Sequence, residues 1–256
     1  GLTGPLRSDD LSAQASAQAA APSTPRPNVL FIAVDDLNTS FAAFGHKPVP
    51  TPNIDRLTAR GVKFDRAYCQ FPLCNPSRQS FLSGLRPETS GAIAQGLTVR
   101  QSRPDVVYLP GLFRAHGYRV SGVGKIFHGH DAASWDQYEN GDSASAQEQA
   151  ALKGRAAVRD RGEHGPEWHR IDDPEATMGD GVVARRAVAM LRAAAGEPRP
   201  FFIAAGFRKP HLPWTAPRRF FDAFPRASIP VPTEPAMSGI PAIALETDFV
   251  GKVPPG

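Results

Sequence analysis

Two stretches of the chain are apolar without interruption, Val29–Val34 (VLFIAV) and Phe201–Phe207 (FFIAAGF). Both have the length of a strand, and their lack of alternation predicts strands buried on both faces. Tyr118–Val123 reads as a further strand and Val62–Tyr68 as another. Helical spacing and punctuation fill the intervals. Thr51 reads as an N-cap with Pro52 at the first helical position, the helix covers Ile54–Arg60, and Gly61 stops it. Phe71–Ser77 is turn-rich and leads into a short helix, Arg78–Ser83, ended by Gly84. Val107–His116 predicts a helix stopped by Gly117, Thr177–Ala195 a long Ala-rich helix stopped by Gly196, and Pro217–Phe224 a short one. Residues 131–173 are polar and irregular, and Pro225–Gly256 is rich in Pro with weak periodicity. Residues 1–26, rich in Ala, Ser, Pro and Gln, predict a flexible lead-in to a domain spanning 27–256.

Apolar strands alternating with helices predict an α/β fold with an open, mostly parallel sheet covered by helices on both faces. In such sheets ligands bind beyond the carboxyl ends of the strands. Three predicted strands end in polar clusters: Asp35-Asp36, then Lys125 with His128, then Lys209 with His211. If the strands are parallel neighbours, these clusters converge on one rim.

Composition narrows the partners. The 29 basic and 25 acidic residues leave a net charge of only +4, with no Lys/Arg run of the kind that binds nucleic acid. No apolar run approaches the roughly 18–20 residues of a membrane helix. The two cysteines, Cys69 and Cys74, are too few for a disulfide scaffold. Their C-x4-C spacing suits a local disulfide or half a metal site. Residues 1–26 lack the basic-then-apolar pattern of a signal peptide, so either a signal has been removed or the chain is a fragment.

The polar clusters have definite chemistry. Asp35 and Asp36 offer hard oxygen ligands for Ca²⁺ or Mg²⁺, and Asp is also common in turns after strands. Cys74-Asn75-Pro76-Ser77-Arg78 puts a thiol before a Pro-bearing turn and a cation four residues on. A helix start and Arg78 would both favour an anion there, whereas a buried thiol would be inert. Gly124-Lys125-Ile126-Phe127-His128 sets a cation and an imidazole three residues apart, on one face if that turn is helical. Lys can hold an anionic oxygen and His can move a proton. Lys209-Pro210-His211-Leu212-Pro213 brackets a His between two prolines that restrict the backbone.

Taken together, Asp35-Asp36, Cys74-x-Pro76-Ser77-Arg78, Gly124-Lys125-x-x-His128 and Lys209-Pro210-His211 resemble the type I sulfatases, and among these the iduronate-2-sulfatase subgroup. Asn28–Leu37, Pro52–Leu57, Cys74–Pro87 and Phe201–Pro213 carry the likeness, which runs from about Pro27 to about Pro225. The resemblance implies an alkaline-phosphatase-like fold and an exported protein, periplasmic, extracellular or lysosomal. It implies that a maturation enzyme oxidises Cys74 to formylglycine, whose hydrate attacks sulfur. Asp35, Asp36 and the modified Cys74 would hold one Ca²⁺. Arg78 would stabilise the hydrate, Lys125 would contact a sulfate oxygen, and His128 would take a proton from the remaining hydroxyl. His211 would protonate the leaving alcohol, and Lys209 would bind sulfate or a substrate carboxylate. The implied substrate is a sulfated carbohydrate of the 2-sulfated uronate type, as in glycosaminoglycan degradation.

The family completes its metal site with a late Asp-His or Asp-Asn pair and a following Lys. His130-Asp131 has the reverse order and the wrong place. An N-terminal part of the catalytic domain is therefore expected, with the remaining C-terminal part as partner. Two other readings stay open: a phosphomonoester or phosphodiester hydrolase of the same superfamily, and an inactive fragment or a pseudoenzyme that binds sulfated glycans. The chain by itself is expected to bind Ca²⁺ poorly and to turn over little or nothing; calorimetric titration with Ca²⁺ and a sulfate-release assay check this, and measurable turnover would contradict it.

Overall fold

The computed structural model describes residues 26–45, 49–140, 149–150, 153 and 168–229. The lead-in expected over 1–26 and the Pro-rich stretch from Pro225 fall almost wholly outside these residues. Four strands form a sheet in the order β1 (Val29–Val34), β5 (Phe201–Phe207), β2 (Arg119–Gly124) and β3 (Gln137–Glu139). Each neighbouring pair is parallel, with Val34 opposite Phe207 and Gly124 opposite Gly206. The residues that follow β1, β2 and β5 therefore emerge on one rim. A separate parallel pair joins β4 (Trp168–Ile171) to β6 (Trp214–Pro217).

Both faces of the sheet are covered. On one side Val120, Phe202 and Ala204 pack with Leu82 of α2 (Cys74–Ser83), Val99, Tyr108, Ile126 and Trp135. On the other, Val123 and Ala205 meet Val183 and Ala187 of α6 (Gly179–Ala194), while Phe201 and Ile203 meet Ala194. The alternation of even and odd β5 residues between two cores explains its unbroken apolar run, and burying Phe202 alone contributes roughly 1.5–3 kcal/mol. β1 departs from the prediction. Its inner residues Val29, Phe31 and Ala33 pack on the first core, whereas Leu30 and Ile32 are 45% and 50% exposed. β1 pairs on one side only among the described residues, and the covering contacts of α6 fall on β2 and β5.

Helix boundaries shift in informative ways. α1 covers Pro52–Thr58, with Pro52 in its first turn as predicted, but Thr51 does not cap the backbone: its hydroxyl donates to Asp55 at 2.9 Å. α2 begins at Cys74, four residues before the predicted start, so the thiol sits in its first turn. Two short helices, α3 (Pro87–Ser90) and α4 (Val99–Ser102), went unpredicted; a Thr98–Gln101 capping box opens the second. α5 covers Leu109–Ala115, inside the predicted Val107–His116. Val62–Tyr68 is not a strand. No described strand pairs with it, and Val62, Phe64 and Tyr68 are 82%, 72% and 78% exposed, so its backbone groups stay with water. Within the supposedly irregular 131–173, β3 and β4 form because strand partners are present for each. From Arg218 the chain forms a second compact unit that includes α7 (Arg218–Asp222).

The rim depends on two glycines. A Cβ on Gly124, whose φ is 78°, would lie 2.2 Å from the Gly206 carbonyl oxygen, and a Cβ on Gly206 would lie 2.2 Å from the Lys125 carbonyl. Only hydrogen at both positions lets the ends of β2 and β5 close up. Gly206→Ala is expected to destabilise the chain by about 1–3 kcal/mol, read as a lower urea midpoint at constant slope. An unchanged midpoint would show that the rim gives way at no cost.

Candidate active site

Asp35 is the first residue beyond β1, its N–H donates to Phe207 O at 3.0 Å, and its side chain is 4% exposed. A carboxylate at that depth needs partners. Arg78 of α2, equally buried, donates to Oδ1 at 2.8 Å, and the Lys125 ammonium donates to Oδ2. Burial is the largest influence on the Asp35 pKa and raises it. The hydrogen bonds from Lys125 and Arg78, with their charges, outweigh burial and hold the carboxyl below its ordinary value. Asp35 is thus ionised at neutral pH.

Arg78 also anchors the chain beyond β2. One terminal nitrogen donates to the carbonyls of Lys125 at 2.5 Å and Ile126 at 2.8 Å. Its Nε–H is buried and has no hydrogen-bond partner among the described residues. Lys125 is fixed from its backbone, whose N–H donates to Gly206 O at 2.9 Å. Lys125 and His128 lie in a bend rather than on a helical turn, which corrects the shared helix face expected from their spacing. Gly124 in the left-handed region and the pull of Arg78 on two consecutive carbonyls shape that bend instead.

The bend opens on a cleft of about 760 Å³ whose lining includes Lys125, His128, His130, Tyr138, Arg208 and His211. Lost hydration is the main cause that lowers the His128 pKa. The Lys125 charge adds to it, Asp35 opposes, and Arg78 and His211 contribute further lowering. His128 is therefore neutral at pH 7 and able to accept a proton. His211 donates through Nδ1 to Leu212 O at 2.7 Å, since a carbonyl can only accept. That bond fixes its ring and leaves Nε2 for chemistry.

The loop carrying His211 is held by a residue that sequence reading missed. Asp180, in the first turn of α6, accepts the backbone N–H groups of Arg208 and Lys209, both at 2.8 Å. An acidic residue at a helix start is the signal that pointed there. Tyr138 was missed as well; its hydroxyl donates to Gly124 O. Lys209 turns its ammonium to Pro213 O at 2.5 Å, along its own loop, and does not line the cleft.

Cys74 is half-buried, and Gln95 donates to its sulfur at 2.9 Å. It lies one helical turn before Arg78, so the two share a face of α2. Cys69 is exposed; both thiols are free, which removes the local disulfide. Asp36 is exposed, with a left-handed φ of 58°. Among the described residues no group of three or more His, Cys, Asp or Glu is placed to hold a metal. Asp35 and Asp36 have the hard oxygens Ca²⁺ prefers, but Ca²⁺ takes about six to eight of them, so they fit as part of a site and not as a whole one. Asp131 serves elsewhere, accepting from Arg100 at 2.8 and 3.1 Å.

The comparisons with known proteins agree with a fold of this α/β class. The chain belongs to the Sulfatase family, which it matches over residues 27–249. It is 32% identical over 250 residues to a sulfatase of Formosa agariphila, covering 90% of this chain and 48% of that protein. It is 33% identical over 227 residues to the iduronate 2-sulfatase of Homo sapiens, covering 85% and 41%. The chain thus spans less than half the length of these relatives. Among solved structures, it is similar to the 2-O GAG sulfatase BT1596, with a TM-score of 0.53 and 27% identity over 73% of this chain and 35% of that one. The phosphonate monoester hydrolase of Agrobacterium radiobacter shares the fold, with a TM-score of 0.57 and 20% identity over 80% and 45%. The parallel sheet and these neighbours fit the alkaline-phosphatase-like class.

Removing the guanidinium would leave Asp35 buried against Lys125 alone and two carbonyls without a donor. Arg78→Met is expected to cost about 3–5 kcal/mol in urea unfolding. A loss below about 1 kcal/mol would mean that the pair contributes specificity rather than stability.

Proposed function

We propose that the protein to which this chain belongs hydrolyses sulfate esters with a formylglycine made from Cys74. The observation that carries this reading is the buried Asp35–Arg78–Lys125 cluster, one helical turn from Cys74 and beside two histidines. A sulfate monoester gathers negative charge on its bridging oxygen as the S–O bond breaks, and fixed cations with a general acid lower that barrier. Lys125 lies at the cleft to contact a sulfate oxygen. The unpartnered Nε–H of Arg78 is a buried donor suited to an oxygen of the hydrated aldehyde.

The hydrated aldehyde at position 74 supplies a hydroxyl nucleophile and, after sulfate transfer, a second hydroxyl whose deprotonation expels sulfate. His211, held through Nδ1, has Nε2 free to deliver a proton to the departing alcohol oxygen. His128, kept neutral by its surroundings, takes the proton of the second hydroxyl. Asp35 and Asp36 would hold Ca²⁺ together with the modified Cys74 and ligands beyond the described residues, and the ion supplies polarisation of sulfate. On this reading Lys209, as the family resemblance implies, would bind sulfate or a substrate carboxylate. The 2-sulfated uronate type of substrate is supported by the names of two relatives, iduronate 2-sulfatase and a 2-O GAG sulfatase. Partners on this reading are the sulfated carbohydrate, the maturation enzyme and the rest of the polypeptide.

Protein produced in a host with the maturation enzyme is expected to give a Cys74 peptide lighter by about 18 Da than the thiol form. An unmodified Cys74, beside a control sulfatase matured in the same cells, would remove the nucleophile and favour a glycan-binding or inactive protein.

A further inference from the structure

His130 and Tyr138 line the cleft and take no part in the reaction steps above. Their rings lie against each other, with centroids 5.0 Å apart and planes tilted by 45°. The contact is the outer end of a run of rings that begins in the core. Tyr108, 1% exposed, meets Phe127 edge-on at 5.0 Å; Phe127 meets Trp135 edge-on at 6.4 Å, and Trp135 meets Tyr138 at 5.3 Å. These separations are those of favourable aromatic pairs. β2 makes room for the run at Gly122, where a Cβ would lie 2.7 Å from the Trp135 ring and 3.0 Å from the Tyr138 ring. The Tyr138 hydroxyl donates to Gly124 O, which fixes the ring from its far end. The backbone next to His130 is also held. Asp131 accepts twice from Arg100 and once from the Ser134 hydroxyl, and Arg100 lies over the Tyr108 ring. His130-Asp131, whose order does not suit a metal pair, is thus an exposed ring next to its anchor.

We propose that His130 and Tyr138 form the wall against which the sugar ring of the substrate rests, and that this wall selects a sulfated carbohydrate over smaller sulfate esters. This rests on the reading of the cleft as the place of a sulfated carbohydrate. A pyranose presents C–H groups on its face, and their partial positive charge suits the negative face of an aromatic ring. The cleft of about 760 Å³ lies in the range of pockets that enclose a whole small ligand, not a sulfate group alone. Lys125, His128 and His211 supply it with charge and proton transfer, whereas His130 and Tyr138 supply ring surface that sulfate cannot use. A wall packed in advance loses little freedom when the sugar binds.

The test uses the full chain made without the maturation enzyme, so that no probe is turned over. A 2-sulfated uronate disaccharide is titrated in and followed by saturation-transfer NMR, with inorganic sulfate as competitor. The unsubstituted chain is expected to pass saturation to the C–H protons of the sugar. His130→Ala is expected to weaken disaccharide binding by about twofold to tenfold, the worth of one aromatic contact, and to leave sulfate binding unchanged. His130→Phe keeps a ring and is expected to restore most of the loss. Four results would each overturn the proposal: no binding of the disaccharide to the unsubstituted chain, equal affinity in His130→Ala, equal weakening of disaccharide and sulfate, or no restoration by His130→Phe. The sulfatase reading is scored apart, by the mass of the Cys74 peptide from a host with the maturation enzyme. A disaccharide bound through His130 beside an unconverted Cys74 keeps the wall and removes the reaction; a converted Cys74 with His130 silent does the reverse.

Discussion

The buried pair of Asp35 and Arg78 is the constraint on which the site depends. Each is 4% exposed, and neither charge would be tolerated at that depth without the other. Their contact joins the end of β1 to α2, and the further bonds of Arg78 to the carbonyls of Lys125 and Ile126 join α2 to the segment after β2. Three pieces of chain, far apart in sequence, are thereby locked at one corner of the rim. The Asp35 carboxylate is kept charged by the same cations that hold this corner together. Stability and chemistry at this corner are one electrostatic arrangement.

The sheet makes that arrangement possible by geometry more than by energy. Parallel pairing aligns the ends of β1, β5 and β2, and Gly124 and Gly206 permit an approach that any side chain would block. The Asp180 carboxylate then fixes the loop after β5 through two backbone N–H groups. His211 is placed by these main-chain contacts before it, and its ring by its own bond to the Leu212 carbonyl.

Much of this was legible in the chain. Val29–Val34 and Phe201–Phe207 are strands with the predicted bounds, because a continuous apolar run that ends in a polar cluster satisfies the pattern of a parallel sheet. The convergence of Asp35, Lys125, His128 and His211 followed from the rule for strand ends. What pattern could not show was pairing. Val62–Tyr68 has strand composition and no described partner, while Gln137–Glu139 has little composition and a partner in β2. Burial of β1 was overestimated for the same reason, since the covering of its second face is decided by α6, distant in sequence. Lys209 was assigned a substrate contact from the family resemblance, and its ammonium donates to the Pro213 carbonyl of its own loop.

The residues missed in sequence share a physical character. Asn75 donates to the carbonyls of Ala94 and Leu97, Gln79 accepts from the Val99 N–H, Asp180 accepts from Arg208 and Lys209, and Tyr138 donates to the Gly124 carbonyl, so all four bond backbone groups. Polar residues of this kind are common on any surface, so their types carry little information until the fold brings a partner. Motif residues are recognisable because the chemistry demands a rare combination of charge and nucleophile at fixed spacing. The supporting residues need only an amide or carboxylate within reach, and many sequences meet that need. The precision of the site therefore lies where composition is least distinctive, in two amides of α2 that hold a loop and one carboxylate of α6 that holds another.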